Sequence, residues 1–475
     1  MLLDIIKKEL LDNITSPKFY ITYLLCFVLI IIAFITGIND YKSDLKEYNA
    51  GVSLNRETID NATLESFPTS ISIFKRPAVL SAIVRGIEGN LGRVTNVAGL
   101  TPVSTEFQKP KFTTNPIFSI FGPLDLDFIV RIVMSLFVIL FTYDAISGEK
   151  ERGTLKLIMS NKVPRDILIL GKSIGSFLSI LVPFFIPFLI GIIIFSLYPD
   201  ISITGDNWIR ILLLLVSYLL YLLMFFTLGL MVSCKTNRSS VSFLVLLFIW
   251  VIFVTVIPKS SVMISRQLYS IPSSHEITYQ KSEVRKEAFR NYQNKAMNYS
   301  KENPIKEGES REEYMDRFMK NYQDQLEITN KEIERKNKQI DEEYESKKKY
   351  QRLLAMYISR ISPASTLRYS SMNIAQTGIE SHERLVNSVN SFQVPFSKYV
   401  TSRFYENQKQ RIANMNNPDK NTAKLDLSDI PRFEYKEESV TESLSNIVLD
   451  FGILIFYSIL FFVLSYLSFM KYDVR

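Results

Sequence analysis

The sequence contains very little cysteine or histidine, and this scarcity excludes several kinds of functional site. Cys26 and Cys234 are the only cysteines, and both lie in or beside apolar blocks. The long polar segments therefore form neither disulfides nor a cysteine-based zinc site. His275 and His382 are the only histidines, and neither has the second histidine of a zinc-protease motif. Without a histidine base there is no nucleophile–base set to argue for, so we expect no catalytic residue and no metal site in this chain.

A complete phosphate-binding loop is also missing. Gly171-Lys172-Ser173 is similar to the end of such a loop, but the pattern requires a glycine five positions before Gly171, where Asp166 stands. The tripeptide also enters an apolar helix instead of following a strand. We assign it no nucleotide role and expect no cofactor in this chain.

The apolar residues are concentrated in dense blocks, although the averages of 47% hydrophobic and 22% charged residues would also suit a soluble protein. Six blocks reach the roughly 20 apolar residues that a membrane-spanning helix needs. We interpret the first as a retained anchor, because its apolar run is too long for a signal peptide and no small-x-small cleavage site follows it. The predicted spans are residues 19–38, 126–143, 177–198, 209–232, 241–258 and 447–470.

Positive charge in the short loops predicts the orientation of these spans. Lysine and arginine are frequent in residues 144–176 and 233–240 and at the C-terminus, whereas residues 199–208 carry only acidic charges. Because positive residues remain on the cytoplasmic side, both termini are predicted to be cytoplasmic. The net charge of +7 and the pI near 9.0 then reflect topology in large part, so we expect no nucleic-acid partner.

The two long segments, residues 39–125 and 259–446, are predicted to be extracytoplasmic. The first contains turn-like stretches, scattered glycines and a β-prone run at residues 93–97, which favour a small α+β module. The second is mainly helical by its pattern, with a turn at residues 303–308. Its predicted helices lie near residues 276–301, 311–361, 364–377 and 380–415. The fold class is therefore a mainly α membrane protein with six transmembrane helices, a small α+β module and a larger helical domain.

A seven-residue apolar repeat runs along the longest predicted helix, residues 311–361. A dimeric coiled coil would need apolar residues at a second set of positions as well, and those positions are weak here, with Lys336 and Glu343 among them. We favour a long helix that packs one face on a neighbour, and keep a coiled coil as the alternative. The repeat consists of Met319, Leu326, Ile333, Ile340, Leu354 and Ile361.

The segment between the second and third spans is the most informative part of the sequence. Residues 143–160 read YDAISGEKERGTLKLIMS, and residues 163–172 read VPRDILILGK. This order predicts a charged turn, a short amphipathic helix and then a helix that starts at a proline and runs into the membrane. The pattern alone is that of a connecting loop with positive charges.

The order of these residues resembles the membrane subunits of ABC-2-type transporters, the permeases that pair with ATP-hydrolysing subunits to export substrates. SGEKERGTL at residues 147–155 carries the resemblance most specifically. Residues 1–18, which predict a cytoplasmic amphipathic interfacial helix, are also similar to such permeases. The C-terminal MKYDVR, residues 470–475, and residues 74–86 resemble a subgroup with large extracytoplasmic inserts.

The resemblance implies partners and site residues. It implies a separate cytoplasmic ATPase subunit that holds ATP and Mg, a second permease that is either identical or a sister chain, and surrounding membrane lipid. It implies that the loop at residues 144–176 docks on the ATPase subunit. The residues expected to couple to it are Glu149, Lys150, Glu151, Arg152, Gly153, Thr154, Leu155, Leu157, Ile158 and Met159.

Three ionisable residues lie within or at the edge of the predicted spans: Arg131, Arg210 and Asp450. A charge inside the membrane is a functional hypothesis by default. Because our placement puts all three near the outer boundary, we favour snorkelling of the side chains to the interface. The alternative is that Asp450 pairs with one of the arginines and holds the last span against the others.

The leading hypothesis is a permease subunit of an ATP-driven exporter, multi-pass in the bacterial cytoplasmic (inner) membrane. The alternative is a membrane-anchored protein that engages an extracytoplasmic envelope protein and transmits a mechanical change. A membrane enzyme is poorly supported, since no catalytic set is visible. The sequence does not indicate the substrate.

Overall fold

Six helices are long and apolar enough to cross a membrane in the computed structural model, which describes residues 1–100, 107, 124–160, 163–414 and 421–472. Each predicted span overlaps one of these helices, and the second and third predicted spans run one and two residues past the helix end. A shorter helix, α1 (Leu2–Ile14), precedes them. The six are α2 (Pro17–Asp60), α4 (the continuous Leu126–Phe128, Ile129–Met134 and Ser135–Thr142), α7 (Arg165–Ser196), α8 (Gly205–Lys235), α9 (Ser239–Leu268) and α14 (Val440–Met470). The chain is therefore a multi-pass membrane protein that is mainly α-helical.

Local sequence signals explain where several of these helices begin. Ser16 caps α2 by accepting a hydrogen bond from the Phe19 N–H, and Pro17 occupies the first helical position, where no N–H is needed. Ser439 and Glu442 form a reciprocal capping box at the start of α14.

Small residues allow the helices of the bundle to approach closely. A Cβ atom at Gly191 of α7 would lie 2.2 Å from the ring of Phe34 in α2, and one at Gly229 of α8 would lie 2.0 Å from the Thr142 hydroxyl in α4. Close packing of this kind is what holds helices together in lipid, where apolar burial gives no advantage. Helix α8 is the most buried of the six, with 61% of its apolar window buried, so it forms the centre of the bundle.

The first helix does not end where its apolar run ends. We predicted a span up to residue 38 followed by a separate module, whereas α2 continues without a break to Asp60. Hydropathy marks where a helix leaves the apolar layer and not where helical backbone stops. Tertiary packing continues the helix past position 38, because Tyr41, Asp44 and Gly51 of the extension are buried and packing of this kind overrides weak helix propensity.

A two-stranded sheet follows α2. Strands β1 (Ser70–Phe74) and β2 (Val94–Ala98) pair antiparallel, with Ser70 opposite Ala98, and the short helix α3 (Glu88–Leu91) lies between them in the chain. Strand β2 coincides with the predicted β-prone run.

The boundary between the two predicted outside domains needs correction. Residues of α2, β1 and β2 share one apolar core with α13 (Ile379–Ala413) and with residues 425–433, whereas Val256–Ile361 forms a compact unit of its own. The correction has a physical reason: which distant segments share a core depends on contacts that periodicity does not encode. The buried residues of this shared core are Ala62, Ile73, Val97, Leu385, Val389, Phe392, Phe396, Val400, Leu427 and Ile430.

Helices α10 (Ser274–Glu302) and α11 (Arg311–Ser359) form a hairpin within the unit Val256–Ile361. Gly308 in the turn has φ +85°, a left-handed conformation that favours glycine, and Ser310 and Glu313 form a capping box at the start of α11. Helix α11 packs along α10. The favoured interpretation, a long helix packed on a neighbour, is therefore confirmed.

Helix α12 (Pro363–Ile374) follows the hairpin in the chain and belongs to the bundle. It packs on α8 and α14, and ten of its twelve residues are buried. Asn416-Asn417-Pro418-Asp419, a sequence that predicts a break in the chain before the last span, lies outside the described residues.

Candidate functional site at the loop between α4 and α7

The loop contains two short helices joined at a glycine. Helices α5 (Ser147–Glu151) and α6 (Thr154–Ser160) are separated by Arg152 and Gly153. Gly153 has φ +72°, and a side chain there would strain the backbone even though no atom lies within 4 Å of its Cβ position. The glycine thus allows a sharp turn between the two helices.

The start of the loop is fixed to two other helices. The Ser233 hydroxyl of α8 accepts the backbone N–H groups of Ile146 and Ser147, both at 3.0 Å. Asp144 pairs at 2.9 Å with Lys18 at the start of α2. Helix α5 is therefore held in one position relative to the bundle.

Lys172 of α7 connects three elements through a buried cluster of charges. Its Nζ lies 2.7 Å from a carboxylate oxygen of Glu149 in α5 and 3.2 Å from one of Glu9 in α1. The side chains are 7%, 17% and 17% exposed for Lys172, Glu149 and Glu9 respectively. Removal of one partner from a buried pair leaves an uncompensated charge, so these three residues constrain one another.

Lys150 of α5 contacts the C-terminal end of α8. Its ammonium donates hydrogen bonds to the backbone carbonyls of Cys234 and Thr236, the latter at 3.2 Å, and lies 4.7 Å from the ring centroid of Tyr472. A cation is favourable at this position because the free carbonyls at a helix C-terminus carry partial negative charge.

Glu151 of α5 contacts the N-terminal end of α9. Its carboxylate accepts the backbone N–H of Ser239, the first residue of α9, at 2.9 Å. An anion is favourable at a helix N-terminus for the complementary reason. Adjacent residues of α5 therefore bind the end of one spanning helix and the start of the next.

The apolar residues of α6 are divided between the interior and the surface. Leu155 is fully buried in a small cluster, and Ile158 and Met159 pack against it partly buried. Leu157 is 67% exposed. The other buried members of the cluster are Ile146, Leu168, Ile169, Cys234 and Phe469.

The structure thus separates the ten residues of the predicted coupling set. Contacts within the chain are made by the side chains of Glu149, Lys150 and Leu155. An outer surface is formed by Glu151, Arg152, Thr154 and Leu157, together with Lys156 and Ser160, all of which are exposed. We call this outer surface the loop face.

Sequence reasoning missed Lys172 and Glu9. We considered Lys172 only as one of the positive loop charges and as part of a failed phosphate-loop pattern. The available signal was a lysine near the start of a helix that is otherwise strongly apolar, because a charge in such a place requires a partner.

Helix α1 packs tightly on α7. A Cβ atom at Gly175 would lie 2.8 Å from the Ile6 carbonyl oxygen, and one at Gly171 would lie 2.7 Å from the Ile5 side chain. The amphipathic helix predicted for residues 1–18 is therefore attached to the bundle next to the loop.

Of the three predicted edge charges, Arg210 and Asp450 are buried, and the side chain of Arg131 is 16% exposed. Arg131 has its Nε 3.4 Å from Asp127, and the Arg210 guanidinium donates to the carbonyls of Ile374 and Glu438 at 3.0 and 2.6 Å. Asp450 is fully buried.

The suggested pairing of Asp450 with one of the arginines stays a prediction. Arg210 donates to the backbone carbonyls of Ile374 in α12 and of Glu438 just before α14, and to the Ser443 hydroxyl of α14 at 2.7 Å. Hydropathy could not show that these segments reach the guanidinium.

Comparison with known sequences confirms the family resemblance. No curated protein matches the chain. The family model described as ABC-2 family transporter protein matches residues 3–474, nearly the full length. The chain therefore belongs to the ABC-2 family of transporter proteins.

Proposed function

We propose that this chain is the permease subunit of an ATP-driven exporter in a bacterial cytoplasmic membrane, and that its loop face docks on a separate ATPase subunit. Both termini and the loop face lie in the cytoplasm on this proposal, and residues 39–125 and 259–446 lie outside. The positive charge of the short loops supports this orientation. ATP and Mg bind the ATPase subunit and not this chain.

The observation that carries the proposal is the contrast between the two sides of the loop. The inner side is tied to α7 and α8 through Glu149 and Lys150, and to α1 through Lys172, whereas Leu157 projects an apolar side chain into solvent between polar neighbours. A rigid attachment to several helices is what a transmitting element requires. Leu157 and Arg152, both exposed on the loop face, suit a protein interface, in which apolar contacts and arginine are combined.

The mechanism follows from these contacts. If one state of the ATPase subunit binds the loop face more tightly than the other, the difference in binding free energy biases the bundle toward one conformation. Because α5 and α7 are joined by Lys172, a displacement of the loop moves α1 and α7 with it. Rigid-body movement of packed helices is a common form of such transitions.

The test compares two leucines with similar exposure. Tagged chain is purified from its native membrane into lipid vesicles, and the Mg-dependent ATPase activity that accompanies it is measured. Leu157→Asp is expected to reduce the accompanying activity at least fivefold. Leu197→Asp, at a residue that is 74% exposed after the end of α7, is expected to leave the activity unchanged. Absence of ATPase activity with the unmodified chain, or equal losses in both variants, contradicts the proposal.

A second candidate function is mechanical transmission to an envelope protein. The unit Val256–Ile361, with a 49-residue helix, favours it because passage of a solute through the bundle does not require such a hairpin. Stimulation of the ATPase activity by an extracytoplasmic protein, and not by any transported solute, distinguishes this function from export.

A further inference from the structure

The free end of the α10–α11 hairpin carries an exposed apolar surface on helices that are otherwise highly charged. Met297 of α10 is 60% exposed and Met319 of α11 is 44% exposed. Beside them a groove of about 490 Å³ runs between the two helices and is lined by Phe289, Tyr322 and Leu326 among others. Methionine side chains are flexible and polarisable and are frequent at binding surfaces. We call Phe289, Gln293, Met297, Met319, Tyr322 and Leu326 the tip face.

Two aromatic contacts define how the helices are aligned at this face. The rings of Tyr292 and Tyr322 lie 5.1 Å apart, and those of Tyr299 and Phe318 lie 6.3 Å apart. Because the helices are antiparallel, these contacts place Met297 at the level of Met319. The two methionines therefore lie side by side on the same face of the hairpin.

The residues that flank the tip face follow the same spacing on both helices. On α10 the helical series is Lys286, Arg290, Gln293, Met297 and Lys301, and on α11 it is Glu312, Asp316, Met319, Gln323 and Glu327. Both series advance by steps of four, three, four and four residues, so each forms one stripe on its helix. The charges in the α10 stripe are all basic and those in the α11 stripe are all acidic.

Two of the six charges in the stripes are paired on their own helices, Lys286 with Glu283 and Glu327 with Lys331. In the part of the chain that the structure describes, Arg290, Lys301 and Asp316 make no ion pair. Two stripes of opposite charge with a methionine at the same level form a self-complementary surface. A two-fold axis parallel to the helices places α10 of each copy opposite α11 of the other.

We propose that the tip face is an isologous interface with the tip face of a second copy of this chain. Met297 of each copy packs on Met319 of the other, Gln293 lies opposite Gln323, and Lys301 and Arg290 lie opposite Asp316 and Glu327. The inference rests on the proposed function for one point, the presence of a second permease in the complex. It adds that this second permease is identical and is held at the hairpin as well as at the bundle.

A small contact is sufficient for this purpose. Two chains already joined through the membrane experience a high effective concentration of each other's hairpins, so even a modest interface forms. A sister permease would need its own charged stripes with the same spacing, whereas a second copy of this chain carries the complementary stripes already.

Cysteine cross-linking between differently tagged full-length chains tests the interface. One chain carries Met297→Cys and the other Met319→Cys, and the two are co-expressed and treated in the membrane with a short bifunctional thiol reagent. Cys26 and Cys234 are buried and do not compete. The matched controls are Asn291→Cys and Ile328→Cys, which are exposed and lie on the helix faces away from the stripes. We expect a dimer with both tags at a yield at least five times that of the control pair.

Charge reversal provides the second measurement. Adding Lys301→Glu to the first chain is expected to reduce the cross-linked yield severalfold, because it places a glutamate opposite Asp316. Adding Asp316→Lys to the second chain as well is expected to restore it. A yield no higher than that of the controls, cross-linking only to another protein, or failure of the second reversal to restore the yield overturns the proposal. If the ATPase activity still accompanies the chain in any of these cases, only this inference falls and the proposed function stands.

Discussion

The ammonium group of Lys172 in α7 lies 2.7 Å from the carboxylate of Glu149 in α5. These two residues are 23 positions apart and belong to different elements, yet their contact determines how the loop is attached to the bundle. Glu9 completes the cluster from α1, so three elements meet at one lysine. The first prediction concerns this contact.

Replacement of Lys172 by methionine should destabilise the protein by about 3–5 kcal/mol, because Glu9 and Glu149 then remain buried without a cation. The exchange Lys172→Glu with Glu149→Lys keeps one cation and two anions and should recover part of the loss. Thermal unfolding in detergent, followed by circular dichroism, measures both. Additive losses in the double variant would show that the two residues are not energetically coupled.

Glu151→Lys should uncouple ATP hydrolysis from transport while the protein still inserts into the membrane. The substitution removes the acceptor for the Ser239 N–H and puts a cation at the N-terminus of α9, where the helix dipole opposes it. The measurement is the ratio of transported substrate to hydrolysed ATP in vesicles. Glu151→Gln, which retains an acceptor oxygen, is the control and should keep most of the coupling.

Arg210→Met should cost about 2–4 kcal/mol of unfolding free energy, since it removes the donor to the buried Ile374 carbonyl and the Ser443 hydroxyl and one of two donors to the Glu438 carbonyl. Arg210→Lys keeps the charge but cannot reach all three acceptors. Its free energy of unfolding should therefore lie between those of the unmodified chain and Arg210→Met. The shift of the thermal unfolding midpoint ranks the stability of the two variants and the unmodified chain. If Arg210→Met unfolded at the same temperature as the unmodified chain, the guanidinium would not hold α12 and α14 to α8.

Gly175→Ala should weaken the attachment of α1, because its Cβ would lie 2.8 Å from the Ile6 carbonyl oxygen. Overpacking of this kind typically costs about 1–3 kcal/mol. Gly205→Ala, in a helix position with no atom within 4 Å, is the matched control and should be neutral. Protease cleavage within residues 2–14, measured over time in detergent, should accelerate only in the Gly175 variant.

The stability of the protein should depend on pH through Glu438. Burial raises the pKa of this carboxyl above its ordinary value of 4.5, against the opposing effect of Arg384. The folded protein therefore binds the proton more tightly than the unfolded chain does. Its contribution to the free energy of unfolding is fully present below about pH 4.5 and is lost as the pH rises through the raised pKa.

Glu438→Gln should flatten that part of the stability profile. Thermal unfolding midpoints between pH 4 and 8 give the slope of stability against pH. The control Glu437→Gln, at an exposed neighbouring residue, should leave this slope unchanged. Identical slopes for Glu438→Gln and the unmodified chain would rule out this source of pH dependence.

Much of the architecture could be predicted from the sequence because it depends on local patterns. Apolar run length identifies the spans, since a helix must satisfy its backbone within a layer of fixed thickness. Helical periodicity and the turn at residues 303–308 placed the hairpin helices within a few residues of Ser274–Glu302 and Arg311–Ser359. The order SGEKERGTL indicated the loop, since that motif is what resembled the family.

The arrangement of the site was decided only by the tertiary structure. Lys172 finds Glu9 and Glu149, and Arg210 finds the carbonyls of Ile374 and Glu438, across separations in sequence that no periodicity records. The same holds for the core shared by α2, the sheet and α13. Local sequence determined which segments become helices, because backbone hydrogen bonding and burial in lipid act on short stretches. Which charges those helices bury together, and which face of the loop remains free, depends on how they pack.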